Sequence, residues 1–375
     1  MIKVILSSFL VTLLYTPFGI FFYKGTDFRA YSLQLIFGLI LISFFALTLN
    51  FFLPLNKLNN STLILLSIIV IFINRDFFFR KKFIFFCLLS TGVIVLLISN
   101  SNVYRPDAGL YHLPYINLLN YEKIIIGNSN LHFRFGHTSI IQYLSAITNN
   151  FIFGVNGIVF PSALIASSIL INFSSNLLKY INDKKLNYHF FFLFSVFVFI
   201  IYKMNRYGEY GNDAPAHFLL FLLVSEIIKN FESIKLKDIS NYFILSIFVI
   251  MNKVTLITSI LFPLIFLSHF KNFKILKNKK IIFLITFLLL WSFKNILVSG
   301  CLIYPIKITC LKNLSWTDID STNINAIENE AWAKGWPDFR DSNTQIKKKE
   351  FSSNFFWLDT WINNHFFVIL KILVP

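Results

Sequence analysis

The chain has 375 residues, of which 56% are hydrophobic and 14% are charged. This composition excludes a water-soluble globule and an intrinsically disordered chain. Three cysteines are too few for a disulfide-rich secreted scaffold. Long, continuous apolar runs argue against an alternating outer-membrane barrel, so we expect an all-α, polytopic transmembrane helical bundle. We attribute the net charge of +16 to basic cytoplasmic loops and predict no nucleic-acid partner.

A transmembrane helix needs roughly 17–25 mostly apolar residues, although shorter helices are tolerated inside a bundle. In chain order, the predicted spans are 3–23, 31–54, 61–79, 83–99, 152–173, 188–203, 214–229, 240–252, 254–269, 281–299 and 361–375. The apolar N-terminus is predicted to be a retained span, because no small-residue cleavage site follows it.

The stretch 240–269 decides the number of spans. One long span would bury Lys253 near its centre, at a cost of about 2.5–3.5 kcal/mol. A hairpin hinged at Asn252-Lys253 instead places Lys253 at the outer surface and the basic segment 271–280 inside. Most loop Lys and Arg residues then lie inside, as the positive-inside rule requires. The sequence therefore predicts about eleven spans with the N-terminus outside.

Three regions follow from this layout. Residues 1–82 hold three N-terminal transmembrane helices, and residues 83–299 hold seven spans with a long external loop at 100–151. Residues 300–375 hold a second external loop and the final span. The second loop is polar and rich in Trp, which predicts short helices on the membrane surface. Its Cys301 and Cys310 either form a disulfide or remain reduced.

The loop 100–151 concentrates ionisable residues at the predicted outer face. They are Arg105, Asp107, His112, His132, Arg134 and His137. Asp107 follows the end of a span, so it is either a functional carboxylate at the interface or a cap for a helix that begins near Ala108. The next segment is amphipathic, which predicts a helix in the headgroup plane with Tyr111, Pro114, Ile116 and Leu119 opposite His112 and Asn117.

The same face carries further charged residues, namely Arg206, Glu209, Asp213, Lys253 and Lys294. Asp213 precedes Ala-Pro and is equally suited to capping a helix. Lys253 and Lys294 are equally typical of lysines that snorkel to the interface. Because ionisable groups at one membrane surface usually mark function, we expect a site there.

Glycosyl transfer from a lipid-phosphate-linked sugar suits such a site. Its transition state resembles an oxocarbenium ion, and the phosphate leaving group needs cations or a metal but no general acid. The acceptor hydroxyl needs one general base, which a carboxylate can provide. One aspartate and a basic phosphate clamp are therefore sufficient.

Two strings resemble GT-C-type glycosyltransferases from bacterial cell-envelope polysaccharide loci. One is Pro106-Asp107-Ala-Gly-Leu-Tyr-His-Leu-Pro114 with the later Asn130-Leu-His132-Phe-Arg134-Phe-Gly136, and the other is Lys294-Asn295-Ile-Leu-Val-Ser299-Gly300-Cys-Leu-Ile-Tyr304-Pro305. The resemblance covers about 83–340. It implies a GT-C-like seven-span module at 83–299 with external surface helices.

The resemblance also implies roles for single residues. Asp107 matches the catalytic aspartate of the first external loop, and Glu209 or Asp213 matches a second acid. Lys253 matches a residue that holds the donor phosphate, where we also expect Arg105, Arg206 and Lys294. We expect His112, His132, Arg134 and His137 to line the substrate loop. A divalent metal ion, if one is used, would be held by Asp107, Glu209 and Asp213.

The leading interpretation is a glycosyltransferase of the bacterial inner membrane. It would transfer a sugar from a polyprenyl-phosphate-linked donor to a glycan or lipid acceptor on the outer face, with the lipid bilayer as its other partner. The alternatives are a polysaccharide polymerase or ligase, a transporter or flippase for lipid-linked sugars, and a non-catalytic membrane subunit. A transporter would favour mid-membrane acids on broken helices with repeat symmetry, and the sequence carries no visible repeat.

Overall fold

A computed structural model describes residues 2–100, 106–137, 139–203, 210–231, 236–270, 278–336, 344–367 and 369–370. Within these residues every extended regular element is a helix, which confirms the all-α prediction. Packing divides the chain into two compact units. Unit 1 comprises Met1–Ile124 and Thr138–Trp291, and unit 2 comprises Ile125–His137 and Ser292–Pro375. The predicted regions 1–82, 83–299 and 300–375 concern membrane architecture and stay a prediction.

Among the described residues of unit 1, thirteen α-helices begin. They are α1 (Ile2–Tyr15), α2 (Phe28–Phe52), α3 (Lys57–Ile73), α4 (Arg75–Phe78), α5 (Lys81–Asn100), α6 (Leu113–Tyr121), α7 (Ile140–Thr148), α8 (Phe160–Asn182), α9 (Tyr188–Lys203), α10 (Asp213–Asn230), α11 (Leu236–Asn252), α12 (Leu261–Phe270) and α13 (Lys279–Ser299). The boundary between the units falls within α13. Unit 2 adds α14 (Ile319–Ala333), α15 (Thr344–Ser352) and α16 (Leu358–Trp361).

Five helices in the described part of the chain are long and apolar enough to cross a membrane. They are Ile2–Phe21, Phe28–Phe52, Lys81–Ser99, Gly154–Asn182 and Lys279–Ser299. Four shorter apolar helices accompany them, at Lys57–Ile73, Tyr188–Tyr202, Asp238–Asn252 and Val254–Ser268. These helices indicate a membrane protein, because a soluble fold has no need of so many long apolar segments.

The chain reverses at Asn252-Lys253, as the charge argument predicted. Helix α11 ends at Asn252, and Lys253 has extended backbone angles (φ −147°, ψ 104°) before a short 3-10 helix that leads into α12. Across this break the Ser246 hydroxyl donates to the Ser259 carbonyl at 3.1 Å. Residues on either side of the break therefore lie side by side, and the two segments form a helical hairpin.

Hydrogen bonds show which helix ends of unit 1 lie together, and they define two opposite ends of the unit. At one end, the hinge end, the Asn212 side chain before α10 donates to the Asn252 carbonyl at 2.7 Å. At the opposite end Lys280, at the start of α13, donates to the Phe22 carbonyl and to Asn241, each at 2.8 Å. Phe22, after α1, and the start of α13 thus share one end, as predicted from the positive charge of the loops that adjoin them.

The predicted loop 100–151 contains a buried helix, α7. All nine of its residues are buried, so this part of the predicted loop is a core helix of unit 1. A capping box begins the helix. The Ser139 hydroxyl accepts the backbone N–H of Gln142, and the Gln142 side chain accepts the backbone N–H of Ser139. Its polar Thr148 is satisfied internally, since its hydroxyl donates to the Leu144 carbonyl at 2.7 Å.

Unit 2 includes the C-terminal part of α13 and the turn that follows it. Gly300 ends this helix with φ +75°, and its N–H donates to the Ile296 carbonyl at 2.7 Å. Cys301 and Cys310 form a disulfide directly after it, which resolves the choice that the sequence left open. Trp316 Nε1 donates to the same Ile296 carbonyl at 3.0 Å, so the turn after α13 folds back onto the helix end.

Candidate functional site

Asp107 lies in a helical segment that begins at Pro106 and continues as a π-helical turn, Ala108–His112, into α6. Its backbone is already helical (φ −59°, ψ −32°), and its side chain makes no capping hydrogen bond. The interpretation of Asp107 as a helix cap is therefore wrong. The carboxylate is exposed and has no such structural role.

His112 is buried, although the amphipathic pattern placed it on the solvent side. The π-helical turn inserts one extra residue, which rotates the residues before and after it relative to each other. Of the predicted apolar face, Ile116 and Leu119 are buried, whereas Pro114 is exposed. The His112 Nδ1 atom lies 3.4 Å from the Gln142 side-chain nitrogen, so α7 fixes the imidazole.

The Asp107 segment meets the start of α10 at His112. A Cβ atom added to Gly211 would lie 3.4 Å from His112 Nε2, so Gly211 and His112 are close neighbours. Asp107 lies five residues before His112, which is within about 8 Å along a helix axis. The proximity of His112 to Gly211 therefore places the Asp107 segment at the hinge end of unit 1.

Asp213 forms an ion pair there and does not cap α10. The N-cap residue is Asn212, and Asp213 is the first residue of the helix. The Asp213 carboxylate lies 2.8 Å from Lys253 Nζ, with 70% of the Asp213 side chain and 27% of the Lys253 side chain exposed. Two segments that are 40 residues apart in sequence thus combine an acid with a cation at an accessible surface.

We call Asp107, His112, Gln142, Asp213 and Lys253 the hinge cluster. The Ser139 hydroxyl, at the start of α7, lies 3.5 Å from the Asn252 side-chain oxygen and links α7 to the hairpin. The cluster offers a general base, a cation for an anionic group and a buried polar support.

Three predicted site residues, Arg105, Arg206 and Glu209, lie outside the described residues. The predicted metal set of Asp107, Glu209 and Asp213 therefore stays a prediction. Within the described part of the chain, no three His, Cys, Asp or Glu side chains gather closely enough to hold a metal ion. The Asp213 carboxylate already faces the ammonium group of Lys253.

The other predicted residues belong to unit 2. The His132 ring stacks on Phe133 with centroids 5.1 Å apart, and its Nδ1 accepts the Arg134 N–H at 3.2 Å. The Arg134 guanidinium lies 5.0 Å from the centre of the same Phe133 ring. Lys294 is completely buried on α13, and not at the surface where an interfacial lysine would snorkel.

His137 is held between two groups of unit 2. Its Nε2 lies 3.3 Å from the Asn329 side-chain nitrogen, and its ring meets Tyr304 edge-on. Burial, together with the positive charge of Arg134, lowers the pKa of His137 to about 4. The imidazole is therefore neutral at pH 7, which suits an acceptor of the Asn329 amide proton.

Part of the segment 294–305, which resembles the GT-C-type proteins, has a local structural role. The Asn295 side chain donates to the Leu302 carbonyl at 3.0 Å, and the Ser299 hydroxyl donates to the Asn295 carbonyl at 3.0 Å. A Cβ atom at Gly300 would collide with the Thr317 side chain. These residues shape the turn after α13.

Sequence reasoning missed an ion pair at the opposite end of unit 1. Arg29 Nη2 lies 2.6 Å from Glu226 Oε2, and only 8% of the Glu226 side chain is exposed. A cavity of about 130 Å³ adjoins the pair. Glu226 lies within a predicted span, and an acid in an apolar span is the sequence signal that indicates such a pair.

A family model described as "Domain of unknown function (DUF8201)" matches residues 1–374, so the chain belongs to that family. No curated protein matches the chain, and no solved structure matches it.

Proposed function

We propose that this member of the DUF8201 family is an integral membrane glycosyltransferase. It transfers a sugar from a polyprenyl-phosphate-linked donor to an envelope glycan or lipid acceptor. One observation carries the proposal: the Asp107 helix and the Asp213–Lys253 ion pair converge at the hinge end of a strongly apolar helical unit. Ionisable groups at a membrane interface, where lipid phosphate and water meet, are a functional signature.

The proposed orientation places the hinge end outside. Arg29, Lys229 and Lys280 lie at the opposite end, where the positive-inside rule places basic residues. The four shorter apolar helices, α10 and the predicted final span 361–375 then act as further spans within the bundle, which gives about eleven crossings and a GT-C-like module over 83–299.

In the proposed reaction Asp107 is the general base. The acceptor hydroxyl gives its proton to the Asp107 carboxylate, and its oxygen forms a bond to the anomeric carbon as the bond to the donor phosphate breaks. The leaving phosphate is already an anion, so no general acid is needed. Lys253 would stabilise its charge, and Asp213 would hold Lys253 in position.

The surrounding residues would assist without further chemistry. His112 is buried against Gln142, so it orients the Asp107 segment and does not contact solvent as a base would. Arg105 and Arg206 are proposed to join the phosphate clamp because they adjoin the same segments in sequence. No step requires a metal ion, since cationic side chains balance the phosphate.

Asp107→Asn tests this proposal, because it keeps the shape of the side chain and removes the base. We expect turnover to fall by about 10²–10⁴-fold in a sugar-transfer assay, or complementation of an envelope-polysaccharide defect to fail. Asp183→Asn is the matched control, since Asp183 is exposed where α8 ends, at the opposite end of unit 1. Equal protein levels are checked by immunoblot. Wild-type turnover in Asp107→Asn would refute the catalytic role.

A further inference from the structure

Unit 2 contains a cavity of about 330 Å³ that the proposed reaction does not use. It lies between the segment 129–133, Tyr304 and the first turns of α14. Pockets for small ligands begin at roughly 300 Å³, so the space suits one or two sugar rings.

One wall of the cavity is polar and comes from a single helix face. Its residues are Asp318, Ser321, Thr322 and Asn325, which follow the i, i+3, i+4, i+7 spacing. The Asp318 carboxylate accepts the Ser321 hydroxyl at 2.6 Å and the Ser321 N–H at 2.9 Å. These hydrogen bonds lower the pKa of Asp318, so the carboxylate is ionised. Its oxygens still have lone pairs for further donors.

The rest of the lining contains aromatic rings, together with Ser129, Asn130 and Leu131. It presents His132 stacked on Phe133, and the ring of Tyr304. The Tyr304 hydroxyl accepts the Asn325 side-chain N–H at 2.6 Å, so its own proton can be donated to a ligand. Gly136 makes room for this ring, because a Cβ atom there would lie 2.5 Å from Tyr304 Cδ1.

We propose that this cavity, lined by the polar face of α14 and by His132, Phe133 and Tyr304, binds a neutral sugar ring of the acceptor. A pyranose has hydroxyl groups around its edge and an apolar C–H face, which match a cavity lined by both hydrogen-bonding side chains and aromatic rings. None of the ten described residues that line the cavity is Lys or Arg. The cavity is therefore poorly suited to the donor phosphate, which needs cations.

Sugar binding is measured on the full chain in lipid nanodiscs by ligand-observed NMR. The probes are methyl α-glucoside, methyl α-galactoside and N-acetylglucosamine, with inorganic phosphate as a comparison. We expect saturable binding of at least one sugar and none of phosphate. Asp318→Asn keeps a good helix cap but loses the charge, so affinity should fall by about 10- to 100-fold. Tyr304→Phe should also weaken binding.

Asp320→Asn is the matched control, since Asp320 is exposed on the same turn of α14 and does not line the cavity. It should bind sugar like the wild type. Absence of sugar binding by folded protein would overturn the proposal, as would unchanged affinity in both Asp318→Asn and Tyr304→Phe. Phosphate binding that these substitutions abolish would overturn it in favour of an anion site.

The role of the bound sugar as acceptor rests on the proposed transferase function, and the two are separable. Asp107→Asn should lose transfer and keep sugar binding in unit 2. Sugar binding together with full transfer in Asp107→Asn would refute the catalytic assignment alone. Loss of transfer in Asp107→Asn, without sugar binding by the wild type, would refute the cavity alone.

Discussion

Removing one partner of the Arg29–Glu226 pair should destabilise the protein strongly. The atoms are 2.6 Å apart, and the exposed fractions are 24% for the Arg29 side chain and 8% for that of Glu226. Breaking a buried ion pair by deleting one partner costs about 3–5 kcal/mol, because the remaining charge stays buried. Arg29 retains some access to water, so Glu226→Leu should cost about 3 kcal/mol, at the lower end of this range.

Replacing both partners should remove most of this cost. Arg29→Met combined with Glu226→Leu leaves no unpaired charge, and such apolar replacements are often neutral or stabilising. Unfolding free energies from denaturant titration in detergent, arranged as a double-mutant cycle, measure the coupling. Glu330→Gln is the control, because its pair with Lys334 spans one helical turn with more than half of the Glu330 side chain exposed. That change should cost less than about 0.5 kcal/mol.

Two results would refute this reasoning. In one, Glu226→Leu destabilises no more than Glu330→Gln, which would mean that water reaches the Arg29–Glu226 pair freely. In the other, the double variant is less stable than Glu226→Leu alone, which would mean that packing, and not an unpaired charge, sets the cost.

Three further predictions concern pH, the hinge cluster and topology. Because the pKa of His137 is about 4 in the folded state, its contribution to stability should be complete above about pH 6.5 and decline as pH falls towards 4. Thermal midpoints should depend less on pH over that interval in His137→Gln. Asp213→Lys or Lys253→Asp alone should lower transfer at least about tenfold, and the double charge swap should recover part of it, while stability changes by less than about 1 kcal/mol. A cysteine at Ile275 should resist an impermeant thiol reagent in intact cells, and labelling there would contradict the inside placement of 271–280.

The sequence predicted what depends on local patterns of hydropathy and charge. The hairpin at Asn252-Lys253 follows from one lysine in an otherwise apolar stretch, because its burial cost is large whatever the fold. The grouping of the helix ends follows from the basic loops, because the positive-inside rule places them on one side of the membrane. These features need no knowledge of which residues meet in space.

The sequence did not predict what depends on distant contacts. Arg29 and Glu226 are 197 residues apart, and no local pattern pairs them. Helix α7 is a short helix that carries Gln, Ser and Thr, so only its burial by neighbouring helices distinguishes it from a surface segment. The burial of His112 depends on one π-helical turn, and the true N-cap of α10 lies one residue before the predicted Asp213.

The most direct test of the account follows the fate of a lipid-linked sugar. The purified chain is placed in sealed liposomes with a radiolabelled polyprenyl-phosphate hexose and a crude envelope glycan acceptor. We expect release of free polyprenyl phosphate together with labelled glycan, and loss of both in Asp107→Asn. Movement of intact donor across the bilayer, with no cleavage of the sugar–phosphate bond, would contradict it and identify the protein as a transporter.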